Sequence, residues 1–131
     1  MLSRLPQAFT RLAQLVQRGG AGDMRIRLDS PARLVIESNW LWMVRTYTFD
    51  GSRRAVLAGA RGERVLVHFH QIHSVDVRTL RNDNGSVAGY AIALHRGLFD
   101  NVHLGSTCDD AEASIVAARV STITGVKVLA L

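Results

Sequence analysis

The histidines are the residues of this chain whose type and spacing come closest to those of a chemical site. His68 and His70 lie two apart in a segment that reads as a β-strand, so both side chains are expected on one face of it. Two histidines on one strand face can hold a divalent ion when a third ligand comes from a neighbouring strand, and His95 and His103 could supply it. The sequence has no cysteine pair, no His-Glu-x-x-His helix and no clustered carboxylates, which usually accompany such sites. We therefore predict polar histidines on the outer face of a sheet, with no metal and no cofactor, and keep these four as candidate metal ligands.

Other reactive groups are equally sparse. Cys108 precedes a predicted helix whose dipole could favour the reactive thiolate, but Asp109 and Asp110 oppose that effect. The sequence contains neither a carboxylate pair suited to acid–base catalysis nor a glycine-rich phosphate loop. It therefore predicts a protein that is not an enzyme, and it identifies no small-molecule substrate.

The composition narrows the class of protein further. At 131 residues the chain fits one domain, and its longest apolar run, Trp40 to Val44, is far shorter than the ~20 residues of a membrane-spanning helix. A single cysteine excludes an internal disulfide and is typical of a reducing compartment, so we predict a cytoplasmic protein of bacterial type. The net charge of +5 comes from arginines scattered along the chain, and only 6% of the residues are aromatic. Nucleic-acid binding, which usually relies on clustered cations and stacking aromatics, is therefore not predicted.

An amphipathic helix is predicted over residues 3–18. Its apolar residues recur at the spacing of one helical face: Leu5, Phe9, Leu12 and Val16. The other side carries a basic residue every seven positions: Arg4, Arg11 and Arg18. Glycines at 19, 20 and 22 end the helix and form a joint, which divides the chain into an N-terminal segment, 1–22, and a domain, 23–131. The apolar stripe could pack on its own domain, on a second chain or on an anionic membrane, and its small apolar face favours protein over membrane.

From residue 24 onward the hydrophobic period changes from that of a helix to that of strands. The segments that read as strands are 25–28, 34–37, 40–49, 53–58, 63–69, 74–80, 87–95 and 101–105. Asp50-Gly51 and Asn84-Gly85 are hairpin signals, so the strands that flank each of them are predicted to pair antiparallel. Residues 126–131 could either add a last strand or pack as an apolar tail.

A second helix is predicted over residues 109–124. Asp109 and Glu112 have the spacing of a capping box, and Gly125 is placed to end the helix in the left-handed conformation. The stripe that this helix should bury comprises Ala113, Val116, Val120 and Ile123.

Two tryptophans lie two apart in the predicted strand 40–49, which would place Trp40 and Trp42 on one face. Because each tryptophan buries a large area, packing in the core or as a lid on the barrel end is the favoured interpretation, with room for one of the two to be partly exposed. The alternative is an exposed aromatic patch that docks a partner. The two tryptophans and the apolar stripe of the 3–18 helix are therefore the candidate interaction residues.

The order of these elements resembles that of a small bacterial pleckstrin-homology-like (PH-like) domain. The resemblance covers residues 34–125 and rests on a polar bend before an Ile-x-x-Val-x-Val strand at 72–77, on the strands that follow and on the closing helix. It implies an α+β fold in which a strongly bent antiparallel sheet or partly open barrel is capped by one C-terminal helix, here with an extra N-terminal helix. The loop between the first strands lacks the Lys/Arg cluster of phosphoinositide binders, so headgroup binding is not implied. An α+β cone with the helix inside a curved sheet and a lipocalin-like barrel are alternative folds.

These observations favour a non-enzymatic interaction module that binds another protein or a second copy of itself, most simply as a homodimer closed by the 3–18 helix. One alternative is a metal-binding enzyme or sensor that uses the histidines. Another is binding to a membrane surface through the basic N-terminal helix.

Overall fold

The computed structural model describes residues 23–40, 42–59, 61–97 and 100–131, with the backbone but not the side chain of Trp40. The helix predicted over 3–18 and the glycine joint that follows it lie outside the described residues.

The described residues form two β-sheets and one α-helix. The first sheet is an antiparallel meander of β1 (Asp23–Asp29), β2 (Arg33–Trp40), β3 (Met43–Asp50), β4 (Ala55–Ala58) and β5 (Arg64–His68). The second sheet has the order β8-β7-β6-β9 and comprises β6 (Ser74–Arg81), β7 (Val87–His95), β8 (Asn101–Thr107) and β9 (Lys127–Ala130). Helix α1 (Asp110–Thr124) follows β8. The predicted α+β class and C-terminal helix are confirmed, and residues 127–130 form a strand parallel to β6.

The strands divide between two sheets and do not form a closed barrel, whereas the sequence predicts a single bent sheet or a partly open barrel. The chain leaves the first sheet at a 3₁₀ turn, Phe69–Gln71. The backbone N–H of His68 donates to the side-chain oxygen of Gln71 at 2.9 Å, and the Phe69 side chain is buried, so the turn is fixed in place. As a result β6 pairs with β7 and β9 and not with β5.

Helix α1 packs against strands of both sheets and closes the core between them. Asp109 caps its N-terminus by accepting hydrogen bonds from the backbone N–H groups of Ala111 and Glu112, and Gly125 ends it at φ 79°. The predicted stripe is confirmed, with Ile123 only partly buried. The buried helix residues are Ala113, Val116, Ala117, Val120 and Thr124. The largest fully buried side chains that they join come from both sheets: Leu34, Ile36, Phe49, Ile92, Leu94 and Leu104.

The hairpin predicted at Asp50-Gly51 forms, but with a longer loop than the two-residue turn that this dipeptide favours. Asp50 pairs with Ala55, which leaves four residues between the strands. The carboxylate of Asp50 accepts hydrogen bonds from the backbone N–H groups of Ser52 and Arg53, and the Arg53 bond is the main reason why its pKa is lowered. This local network stabilises the wider turn. The hairpin predicted at Asn84-Gly85 joins β6 to β7, with Gly85 at φ 85°.

The β2–β3 turn corrects the predicted strand 40–49. The chain reverses after Trp40, which pairs with Met43 across the hairpin. Trp40 therefore ends β2 and Trp42 lies in the turn, so the two residues do not share one strand face. Trp42 is 81% exposed, so the prediction of core packing is wrong for this residue. The apolar run from Trp40 to Val44 contains no residue type that favours a turn. The position of the chain reversal is set instead by the pairing of the flanking strands β2 and β3.

An ion-pair cluster on the exposed side of β1 and β2 gives a pH-dependent prediction. Glu37 accepts hydrogen bonds from Arg25 at 3.1 Å and from Arg27 at 2.6 Å. The Arg25 bond is the main cause that lowers the pKa of Glu37 from its usual 4.5. Because the folded state favours the carboxylate, its stabilisation is complete above the unfolded pKa and is lost as the pH falls through the lowered folded pKa.

We expect Glu37→Gln to lower the melting temperature slightly at pH 7, and we expect this difference to shrink as the pH falls below 4.5 and to vanish once the Glu37 carboxyl is protonated in the folded state. Melting curves of both proteins across this pH range test the prediction. Glu63→Gln is the control, because Glu63 is exposed and forms no ion pair with the described residues. A difference between wild type and Glu37→Gln that persisted at low pH would contradict the prediction.

Candidate functional site

A cleft of about 430 Å³ is lined by residues of both sheets. Its wall on the first sheet comes mainly from alternate residues of β3, which share a face: Met43, Arg45 and Tyr47. Its wall on the second sheet comes from the face turned away from the fully buried core: Asp76, Arg78 and Leu80 of β6, Ala91 and Ala93 of β7, and His103 of β8. Leu131, just after β9, also lines it. The volume lies in the range of small-molecule sites.

The cleft exists because β7 carries large side chains on one face and small side chains on the other. Ile92 and Leu94 fill the core on one side, while Ala91 and Ala93 on the other side leave space between the flanking strands. Arg78 pairs with Ala91, and Ala93 pairs with His103 on the far side. The alternation of large and small residues in β7 is the sequence signal that could have predicted this cleft.

One end of the cleft is closed where the two sheets meet. The hydroxyl of Tyr47 donates to the backbone carbonyl of His103 at 3.0 Å and so links β3 to β8. The register between β7 and β8 shifts after Ile92, which is a bulge of the kind that re-aims side chains near sites. Gly105 follows with φ 151° and brings the β8 backbone against Ser38 of β2.

The charges in the cleft are unbalanced. Arg45 on the first sheet and Arg78 on the second line it, and neither forms an ion pair with any residue that the structure describes. Asp76 is the acid in the lining, and its carboxylate accepts a 2.7 Å hydrogen bond from the hydroxyl of Ser74. Neither arginine could be identified as a site residue from the sequence, because the two come to line one cleft only in the folded protein.

The edge strand β9 is a second exposed feature. All four of its residues are exposed, and Val128 and Leu129 are among the exposed large apolar side chains, as is the following Leu131. The strand carries one charge, Lys127. It pairs with β6 on one side and lies at the end of the sheet order, so its other edge has no strand beside it within the described part of the chain.

The tip of the β2–β3 hairpin is another exposed apolar surface. Trp42 and Val44 are both strongly exposed there, with side chains outside the core cluster. Trp40 ends β2, and its side chain lies outside the described residues, as do the other candidate interaction residues, Leu5, Phe9, Leu12 and Val16.

The structure places four of the five histidines in two pairs, and it does not bring the four candidate metal ligands together. The rings of His68, at the end of β5, and His70, in the 3₁₀ turn, stack with centroids 5.7 Å apart. His95 faces His73 edge-on at 5.8 Å, and its Nδ1 lies 3.0 Å from the side-chain oxygen of Asn101. His103 lies apart in the cleft. Among the described residues, no group of three or more His, Cys, Asp and Glu is arranged to hold a metal ion.

Comparison with protein families, curated proteins and solved structures found no match for this chain. Within the described residues, no helix is long and apolar enough to cross a membrane.

Proposed function

We propose that this chain is a non-enzymatic interaction module that pairs with a second copy of itself through the outer edge of β9. The observation that carries the proposal is this edge strand, which is exposed, apolar and almost uncharged. A free strand edge is a template for pairing with another chain, and natural proteins usually blunt such edges with charges, prolines or bulges. Apart from Lys127, β9 has none of these.

The direction of the backbone groups supports this pairing. The N–H of Leu131 donates to the carbonyl of Val77 on β6 at 2.8 Å. Because these groups alternate along a strand, the N–H and C=O groups of Val128 and Ala130 point away from β6. These two residues offer the donors and acceptors that a second strand needs.

The side chains are compatible with a two-fold antiparallel pair. When Val128 of one chain lies opposite Ala130 of the other, Leu129 faces Leu129 across the axis. Lys127 then lies opposite Leu131, so no like charges meet. The same strand can therefore serve as both partners.

We also propose that the N-terminal apolar stripe at 5–16 contributes to this dimer, since a helix of that length gains stability mainly by burying its apolar face. A relationship to small bacterial PH-like domains remains a proposal, supported by the consecutive antiparallel hairpins and the closing helix. A cytoplasmic location is likewise proposed from the single cysteine, Cys108, which is exposed.

We expect the full chain to be a dimer and Ala130→Pro to be a monomer. Proline removes the outward N–H of residue 130 in both copies and leaves the β6 hydrogen bonds in place. Light scattering after size exclusion measures the mass, and thermal melting shows whether the fold is retained. Ala130→Ser keeps the donor and is the matched control, which should remain a dimer.

Two results would contradict the proposal: a monomeric wild-type chain, or a folded Ala130→Pro variant that still dimerises. If Leu12→Asp abolishes the dimer and Ala130→Pro does not, the N-terminal segment is the interface and β9 is not.

A further inference from the structure

We propose that the cleft lined by both sheets binds a small amphipathic acid, with an apolar body along the cleft floor and one carboxylate held by Arg45 and Arg78. This site differs from the β9 edge in its lining, which shares only Leu131 with the proposed dimer contact, and in its ligand, which is a small molecule. The inference does not depend on the dimer.

The apolar part of the cleft suits the body of such a ligand. Leu80, Ala91 and Ala93 of the second sheet and Met43 of the first line it, and most of its exposed lining is apolar. A small-molecule site typically combines walls of this kind with a few polar groups that fix the orientation of the ligand. The small side chains of β7 make room that larger residues at the same positions would fill.

The charged part of the cleft selects an anion. The lining carries two arginines and one aspartate, so its side chains have a net charge of 2 − 1 = +1 with His103 neutral. A guanidinium presents a planar fork that matches a carboxylate in two parallel hydrogen bonds, and it is less strongly hydrated than an ammonium group. Neither Arg45 nor Arg78 has an ion-pair partner among the described residues, so both guanidinium groups can bind a carboxylate of the ligand.

Asp76 restricts the charge of the ligand. It lies two residues before Arg78 on the same strand face, and one of its carboxylate oxygens accepts a hydrogen bond from the hydroxyl of Ser74. A group with several negative charges, such as a polyphosphate, would be repelled by this acid, while a single carboxylate balances the net charge of +1. The lining aromatic, Tyr47, uses its hydroxyl to join β3 to β8. These features favour a monoanion with an aliphatic body over a nucleotide.

Calorimetric titration of the full chain with octanoate, below the concentration at which it forms micelles, tests the proposal. We expect one octanoate per chain, with chemical-shift changes in nitrogen-15 NMR confined to residues that line the cleft. Acetate lacks the apolar body and 1-octanol lacks the charge, so each should bind at least about tenfold more weakly.

Variants identify the groups that hold the carboxylate. Arg45→Gln and Arg78→Gln should each weaken octanoate binding about tenfold or more, the usual loss for a hydrogen bond to a charged group. Arg64→Gln is the matched control, because Arg64 is an exposed arginine of the first sheet that does not line the cleft. Ala91→Leu should abolish binding by filling the floor while the thermal melting curve stays that of a folded protein.

Several outcomes would overturn the proposal. These are no octanoate binding, equal affinity for 1-octanol, unchanged affinity in both cleft arginine variants, or a loss in Arg64→Gln as large as theirs. Equal affinity for 1-octanol would show a purely apolar pocket. An equal loss in Arg64→Gln would show general attraction to a basic surface.

Discussion

We expect Val120→Asp to leave the protein unfolded or aggregated, because Val120 is fully buried in the stripe of α1 that closes the core between the sheets. An aspartate there would bring an unpaired charge into apolar surroundings, which costs several kcal/mol after the group neutralises or the structure relaxes. The whole stability of a domain of this size is only about 5–15 kcal/mol. Circular dichroism during urea and thermal unfolding measures the effect.

Ile115→Asp is the matched control for this substitution. Ile115 lies on the same helix and is 52% exposed, so the same charge would remain in water and the variant should melt close to the wild type. A Val120→Asp variant that stayed soluble and melted cooperatively near the wild-type temperature would show that α1 does not close the core.

We expect Gly105→Ala to destabilise the fold by about 2–4 kcal/mol, because it combines overpacking with an unfavourable backbone conformation. A Cβ atom at this position would lie 2.9 Å from the Cβ of Ser38 and closer still to its Oγ. The backbone at φ 151° is also one that residues other than glycine rarely adopt. The strands that meet here, β2 and β8, would have to separate at the end of the cleft. Urea unfolding measures the loss.

Two further variants separate the steric cost from the backbone cost. Gly85→Ala changes a glycine at φ 85° that has no atom within 4 Å of the added Cβ, so it should lose only the backbone contribution. Ser38→Gly combined with Gly105→Ala should be more stable than the sum of the two single changes predicts. A Gly105→Ala loss no larger than that of Gly85→Ala would mean that the sheets do not meet tightly at this point.

Secondary structure could be predicted from the sequence wherever local chemistry decides it. Alternation of apolar and polar residues located nearly every strand, because a half-buried strand has period two wherever it packs. Asp109 and Gly125 bounded α1 to within a residue, because capping depends on hydrogen bonds and backbone conformation within one helical turn. The hairpin at Asn84-Gly85 was visible for the same reason.

Local sequence did not predict the elements whose ends are set by pairing with another strand. The turn after Trp40 interrupts an apolar run with no glycine, proline or asparagine, and it is placed by the pairing of residues 33–39 with 44–50. Residues 127–130 read equally well as a strand or as an apolar tail, and their parallel alignment with β6 decides between them.

The surfaces on which both proposals depend are properties of the tertiary structure alone. Arg45 and Arg78 are more than thirty positions apart in the sequence, and each by itself reads as a solvated basic residue. They line one cleft because the chain turns out of the first sheet at residues 69–71 and the second sheet then packs against it. Periodicity shows which residues share a face of a strand, but only the packing of the sheets decides which two faces meet.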